Sequence, residues 1–83
     1  GKPNPDPYLM GLRKTGNYEP WQGIVVENAP LGVRAGSAAN IFTVGINSGP
    51  LPDSALSDNG ANIVLQRMTE LCDLWGEILA ARN

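Results

Sequence analysis

The sequence predicts an α/β fold with parallel strands, and three observations point to it. Two short apolar runs, 23–26 and 41–46, carry β-branched residues without polar alternation, the pattern of strands covered on both faces. Helix-start signals precede each run, with Pro7 after the capping residue Asp6 and Pro30 again placed for a helix start. The elements alternate as helix, strand, helix, strand, helix, strand, helix, which requires crossover connections. A sheet of about three strands has two edges, yet at least two of these strands read as buried on both faces. The sequence therefore reads as part of a larger sheet.

The prolines of Lys2-Pro3-Asn4-Pro5-Asp6-Pro7 exclude regular structure at the start. Asp6 is expected as N-cap and Pro7 at the first helical position. A short helix over 8–14 comes next, with Tyr8, Leu9 and Leu12 on one face. Arg13 and Lys14 suit its C-terminal dipole and Gly16 a left-handed cap. Residues 17–22 are expected as loop and 23–26 as the first strand. A helix of small residues spans 31–39. Its Gly32 and Gly36 each cost about 1 kcal/mol against alanine, which close packing on a sheet would offset. The second strand, 41–46, is broken by Asn47-Ser48-Gly49-Pro50. Asp53 can cap a short helix over 53–56, and 62–65 is a third, weaker strand. One final helix spans 67–81, with Met68, Leu71, Trp75, Ile78 and Leu79 as its apolar stripe.

Composition removes several chemistries. Apolar residues make up 42% of the 83 residues and net charge is only −2, so a core can form. There is no histidine, which excludes His-based zinc sites, Ser-His-Asp triads and histidine phosphotransfer. Six basic residues against eight acidic ones leave no basic footprint for nucleic acid. No run is long enough for a transmembrane helix and no signal peptide is read, so no membrane partner is expected. The single Cys72 can form no intrachain disulfide, which suits a reducing, cytoplasmic setting.

Two features can carry chemistry. Glu27 and Asn28 sit at the carboxyl end of the first strand, just before a helix, at the edge where open α/β sheets bind ligands. Both offer oxygens to a hard cation such as Mg²⁺; equally, both can simply cap the helix and complement its dipole. Lys2, held by Pro3 and Pro5, can present its ammonium to a phosphate or stand solvated at the surface. The remaining residues read as structure: Trp75 as core or as a contact to further sheet, Trp21 as a loop anchor, Cys72 as a buried inert thiol, Arg34 as a solvated helix residue. Asp73 and Glu77, four apart, read as a solvent-facing pair, and Ser48-Gly49-Pro50 as a turn bordering the same sheet edge.

Together the two features resemble a family. Gly1-Lys2-Pro3-Asn4-Pro5-Asp6-Pro7-Tyr8 is similar to the third motif of haloacid-dehalogenase-like hydrolases, and residues 25–36, Val-Val-Glu-Asn-Ala-Pro-Leu-Gly-Val-Arg-Ala-Gly, to the fourth. Their order and the helix between them match, the resemblance runs over nearly the whole chain, and it is nearest to the β-phosphoglucomutase and small-phosphatase branch. It implies a Rossmann-like core in which a nucleophilic aspartate forms an aspartyl-phosphate. A second aspartate two residues on acts as acid and base, and Mg²⁺ bridges nucleophile and phosphate. Lys2 would offset charge on the nucleophile and phosphate, and Glu27 with Asn28 would hold Mg²⁺, directly or through water. This is phosphoryl transfer by positioning and charge neutralisation.

Two departures qualify the resemblance. Asn28 stands where the family often has a second acid. The nucleophile motif Asp-x-Asp is absent, since Asp6, Asp53, Asp58 and Asp73 each lack an aspartate two residues on. In the family that motif, the phosphate-binding Ser/Thr strand and the cap domain all precede the lysine motif. Residues 1–83 are therefore expected to be the C-terminal portion of such a core domain, with the N-terminal part of the same protein as partner and no activity in isolation. The expected parent is a Mg²⁺-dependent phosphatase or phosphomutase for a small phosphorylated metabolite. A second reading, from another class, is a stand-alone non-catalytic α/β module that binds a partner or itself through an open sheet edge. A nucleotide-binding half finds no support in any glycine-rich phosphate motif.

Overall fold

A computed structural model describes residues 4–82. Helix α1 spans Asp6–Gly16, and a 3₁₀ turn, Pro20–Gln22, leads into strand β1, Ile24–Glu27. Helix α2 (Pro30–Ala38), strand β2 (Phe42–Ile46), helix α3 (Ser54–Ser57) and strand β3 (Ile63–Leu65) come next, then helices α4 (Thr69–Asp73) and α5 (Trp75–Arg82). The sheet has three strands in the order β1-β2-β3, all parallel, with Val26 opposite Val44 and Val44 opposite Ile63. The α/β class and the alternation expected from the sequence are as observed.

The side-chain period of two sorts each strand between two layers. On one face, Val44, Ile46 and Leu65 form a core with Ile78 of α5, flanked by Ile24, Val26, Phe42 and Ile63 and by Leu71 and Leu74. On the other, Val25 packs with Ala39 and Ile41, against Tyr8, Leu9 and Leu12 of α1. Helix α2 lies close on this second face. A Cβ on Gly36 would meet Thr43 Oγ1 at 2.7 Å and Val25 Cγ1 at 3.0 Å. The close packing expected of Gly36 is thus real. Thr43, fully buried, donates from its hydroxyl to the Ile41 carbonyl at 2.9 Å. Its N–H donates to Asn62 Oδ1 at 2.8 Å, and Asn62 N–H returns to the Thr43 carbonyl at 2.8 Å, pinning the entrance of β3 beside β2.

Several local expectations are corrected. Only β2 is buried along most of its length; in β1 Val25 alone is buried. β1 pairs only with β2 among the described residues, so its apolar run reflects one packed partner rather than two. The α1 entrance is served by Asn4, whose Oδ1 accepts from Asp6 N–H at 2.9 Å, while Asp6 is itself the first helical residue. At the other end Asn17, not Gly16, takes the left-handed conformation (φ 55°), and its N–H reaches the Arg13 carbonyl at 3.1 Å. Asparagine tolerates that region because its short side chain makes local hydrogen bonds.

The single C-terminal helix is in fact two. Leu74 leaves helical geometry (φ −105°, ψ 11°) between α4 and α5, and Gly76, a weak helix former, lies just beyond it. The bend lets Leu71, Leu74 and Ile78 all face the sheet core. It also turns Met68 and Trp75 outward, at 56% and 42% exposure, so the apolar stripe read from the sequence is only half used. Cys72 is exposed on the same outer side rather than buried. Trp21 is 60% exposed and anchors little, whereas Arg34, Asp73 and Glu77 are solvent-facing as expected. No helix among the described residues is long and apolar enough to cross a membrane.

Candidate functional site

Parallel strands direct their carboxyl ends to one edge, and β1 ends there with Glu27, followed by Asn28. Neither residue caps α2: Ala29 is the N-cap position, in extended geometry, and no side-chain cap hydrogen bond is made. The capping half of that alternative is therefore not realised, whereas the Glu27 carboxylate does lie beside the first turn of α2, where it complements the helix dipole. Asn28 is exposed and Glu27 half-buried. Together with Val26, Ile46, Ser48 and Met68 they line a cleft of about 300 Å³ at the carboxyl ends of β1 and β2.

Glu27 is held on two sides. The Tyr8 hydroxyl on α1 donates a hydrogen bond to Glu27 Oε1, across 19 residues of sequence. On the other side the carboxylate lies over Gly32 in the first turn of α2, where a Cβ would come within 2.5 Å of the carboxylate carbon. Close packing on Gly32 is thus against the Glu27 side chain rather than the sheet surface. Burial, then the hydrogen bond to Glu27, then the charge of Glu27 push the Tyr8 phenol up to about 12, so it stays a donor throughout the physiological range.

A second polar group lies at the same edge. Asn47, directly after β2, donates from Nδ2 to Asp53 Oδ1 at 2.7 Å and to the Leu51 carbonyl at 2.8 Å. Gln66, directly after β3, donates from Nε2 to both Asp53 oxygens at 3.1 Å. Asp53 therefore closes the loop carrying Ser48 instead of capping α3 with its side chain. Its two amide donors, Asn47 first and Gln66 second, hold its carboxyl below the usual aspartate range.

Among the described residues no three His, Cys, Asp or Glu side chains converge on one point. What the edge offers is a carboxylate, an amide and a hydroxyl, all hard oxygen donors. That set suits Mg²⁺, which usually takes one or two carboxylates and completes its shell with water and phosphate oxygens. Larger openings lie elsewhere: one of about 400 Å³ at the opposite end of the strands among Trp21, Ser37, Asn40, Asn62 and Arg82, without a carboxylate, and one of about 430 Å³ beside α1 that includes Glu19 but lies away from the carboxyl edge. Its chemistry, not its volume, makes the carboxyl edge the candidate site.

A solved structure from Bacteroides vulgatus, provisionally assigned as a β-phosphoglucomutase, superposes with a TM-score of 0.84 at 50% identity, over 99% of this chain and 33% of that one. A haloacid-dehalogenase-family hydrolase from Deinococcus radiodurans R1, solved with bound phosphate and sodium, gives a TM-score of 0.79 at 33% identity, over 94% of this chain and 35% of that one. The chain belongs to the haloacid-dehalogenase-like superfamily. Hexitol phosphatase A of Escherichia coli (strain K12) is 35% identical over 71 residues, 86% of this chain and 31% of that protein. The chain spans about a third of the length of these relatives and corresponds to their C-terminal part. No protein-family model matches it.

Within this haloacid-dehalogenase-like chain, the structure leaves Glu27 and Asn28 adjacent at the cleft. Lys2, the third residue singled out, lies outside the described residues. Two partners escape a reading of the sequence. Tyr8 reads there as one more residue on an apolar helix face, and Asp53 as a helix cap. Both act through contacts between elements, for which a linear pattern carries no signal.

Proposed function

We propose that residues 1–83 form the C-terminal portion of a Mg²⁺-dependent phosphatase or phosphomutase acting on a small phosphorylated metabolite. The observation that carries this reading is the pair Glu27 and Asn28, placed at the carboxyl edge, facing a cleft and not used to cap a helix. The names of the relatives, a hexitol phosphatase and a β-phosphoglucomutase among them, support the substrate class.

In this reading Glu27 and Asn28 hold Mg²⁺, and Lys2 offsets charge on the nucleophile and the phosphoryl group. Bound there, Mg²⁺ supplies charge neutralisation at phosphoryl oxygens. Asn28 brings an oxygen without a charge, so Glu27 carries most of the electrostatic load. Tyr8 and Gly32 fix its carboxylate. The nucleophilic Asp-x-Asp is not in this sequence, so the remainder of the same protein supplies it and is the partner of this chain. The outer edge of β1, unpaired among the described residues and beside Glu27, suits that partner. A cytoplasmic setting suits a chain whose one cysteine is exposed and unpaired.

The test is turnover of p-nitrophenyl phosphate with Mg²⁺. The whole protein is expected to be active, to lose activity on chelation, and to lose it again as Glu27→Gln. The 83-residue chain alone is expected to be inactive. Robust turnover by the chain alone, abolished by Glu27→Ala, would refute this division of labour.

A further inference from the structure

Resting on the reading of Glu27 as a metal ligand, we propose that Tyr8 is a positioning residue that sets the cation preference of the site. It does so by occupying one oxygen of that carboxylate.

The geometry leaves Glu27 little choice. Its Oε1 accepts the Tyr8 hydroxyl, and its other oxygen, Oε2, lies over Gly32 with the carboxylate carbon, where no Cβ stands in the way. The phenol is itself anchored. Tyr8 packs against the cluster of Val25, Ala39 and Ile41, and its N–H bonds to the Pro5 carbonyl at 3.1 Å in the first turn of α1. A half-buried ring fixed at both the backbone and the hydroxyl cannot follow a carboxylate that rotates.

The consequence is chemical. Ca²⁺ takes six to eight oxygens and accepts carboxylates through both oxygens at once; Mg²⁺ demands a compact octahedron and takes a carboxylate through one. A glutamate with one oxygen hydrogen-bonded to a rigid phenol offers a single oxygen to a cation. That arrangement suits Mg²⁺ and opposes two-oxygen coordination of Ca²⁺. It also preorders the ligand before the cation arrives, as partners of ligating carboxylates generally do. Asn28 strengthens the dependence, because with a neutral neighbour the orientation of Glu27 decides the affinity.

The experiment is calorimetric titration of the whole protein and its Tyr8→Phe variant with Mg²⁺ and, separately, with Ca²⁺. Phenylalanine keeps the ring packing and removes only the hydroxyl. Mg²⁺ affinity is expected to fall about tenfold, in line with loss of a partner behind a metal ligand, while Ca²⁺ affinity holds or rises. The ratio of the two dissociation constants then shifts toward Ca²⁺, which a general loosening of the fold would not produce. Infrared carboxylate bands should show Glu27 bound through one oxygen in the wild type, and through two in Ca²⁺-loaded Tyr8→Phe. A Tyr8→Phe protein whose two affinities change by the same factor, or not at all, overturns the role of Tyr8 while leaving Glu27 as ligand. A Glu27→Gln protein that binds Mg²⁺ as well as the wild type overturns the metal reading itself. Gly32→Ala gives a second handle, since its Cβ would displace the same carboxylate without touching Tyr8. It is expected to weaken Mg²⁺ binding, and an unchanged affinity would count against the fixed carboxylate.

Discussion

The side-chain amide of Asn47 donates a 2.7 Å hydrogen bond to Oδ1 of Asp53, six residues later. Gln66 binds the same carboxylate from the end of β3, so the connections leaving two adjacent strands are tied at one acidic group. This tie holds the Ser48 side of the cleft. Because the folded carboxyl lies below its unfolded value, its contribution is complete above the ordinary aspartate range and is lost as pH falls through the folded value. Loop 47–53 should therefore keep its hydrogen-exchange protection at neutral pH and lose it in strong acid. In Asp53→Ala the protection should be low at every pH. A wild-type Asp53 carboxyl resonance that titrates at the ordinary aspartate value would contradict this.

Two glycines in helices should respond oppositely to alanine. Around Gly11 in α1 nothing lies within 4 Å of an added Cβ, so Gly11→Ala should stabilise by about 0.5–1 kcal/mol through helix propensity and the unfolded chain. At Gly36 the Cβ meets the buried Thr43 and Val25, which cannot retreat, so Gly36→Ala should destabilise by about 1–3 kcal/mol despite the same propensity gain. Urea midpoints of the two variants would establish the signs.

The break at Leu74 divides the apolar residues of the last segment into used and unused ones. Ile78, with no exposure, packs on Val44, Ile46 and Leu65, and Ile78→Ala should cost about 2–5 kcal/mol. Trp75 is 42% exposed, and Trp75→Ala should change the stability of the isolated chain by no more than about 1 kcal/mol. Equal losses in thermal or urea unfolding would mean that α4 and α5 form one continuous helix.

Asn28→Asp restores a second charge beside Glu27. A unit charge near a divalent cation in a partly exposed site is worth on the order of 1–4 kcal/mol, so Mg²⁺ should bind about tenfold tighter or more. Without the cation the two neighbouring carboxylates repel, and the variant should be slightly less stable than the wild type. Titration with Mg²⁺ under matched ionic strength checks both signs; unchanged affinity would place the cation away from position 28.

Most of the element order is legible in the sequence because it rests on short-range chemistry. Pro30 marks the start of α2, the run at 41–46 marks the buried central strand, and Asn47 to Pro50 mark its end. The site is legible in part for the same reason. Glu27 and Asn28 come directly after an apolar strand, and a parallel strand must deliver its last residues to the ligand-binding edge. The burial of β1 is less than its composition suggests, because an apolar run reports what a strand can pack against and not how many neighbours it has. Cys72 departs from the buried thiol expected, and Trp75 lies outside the core while the contact to further sheet stays open to it, because one bend at Leu74 rotates the residues beyond it relative to those before.

The sequence by itself determined that this chain is α/β, that it ends its first strand in Glu27-Asn28, and that it holds no Asp-x-Asp. Those properties depend on residue identity and local backbone preference. Only the tertiary structure decided that Tyr8 grips Glu27, that Gly32 lies under the same carboxylate, and that Asp53 serves Asn47 and Gln66 rather than a helix end. Each of these contacts joins groups brought together by the packing of helices on a sheet, and no pattern along the chain encodes which side chains that packing will pair.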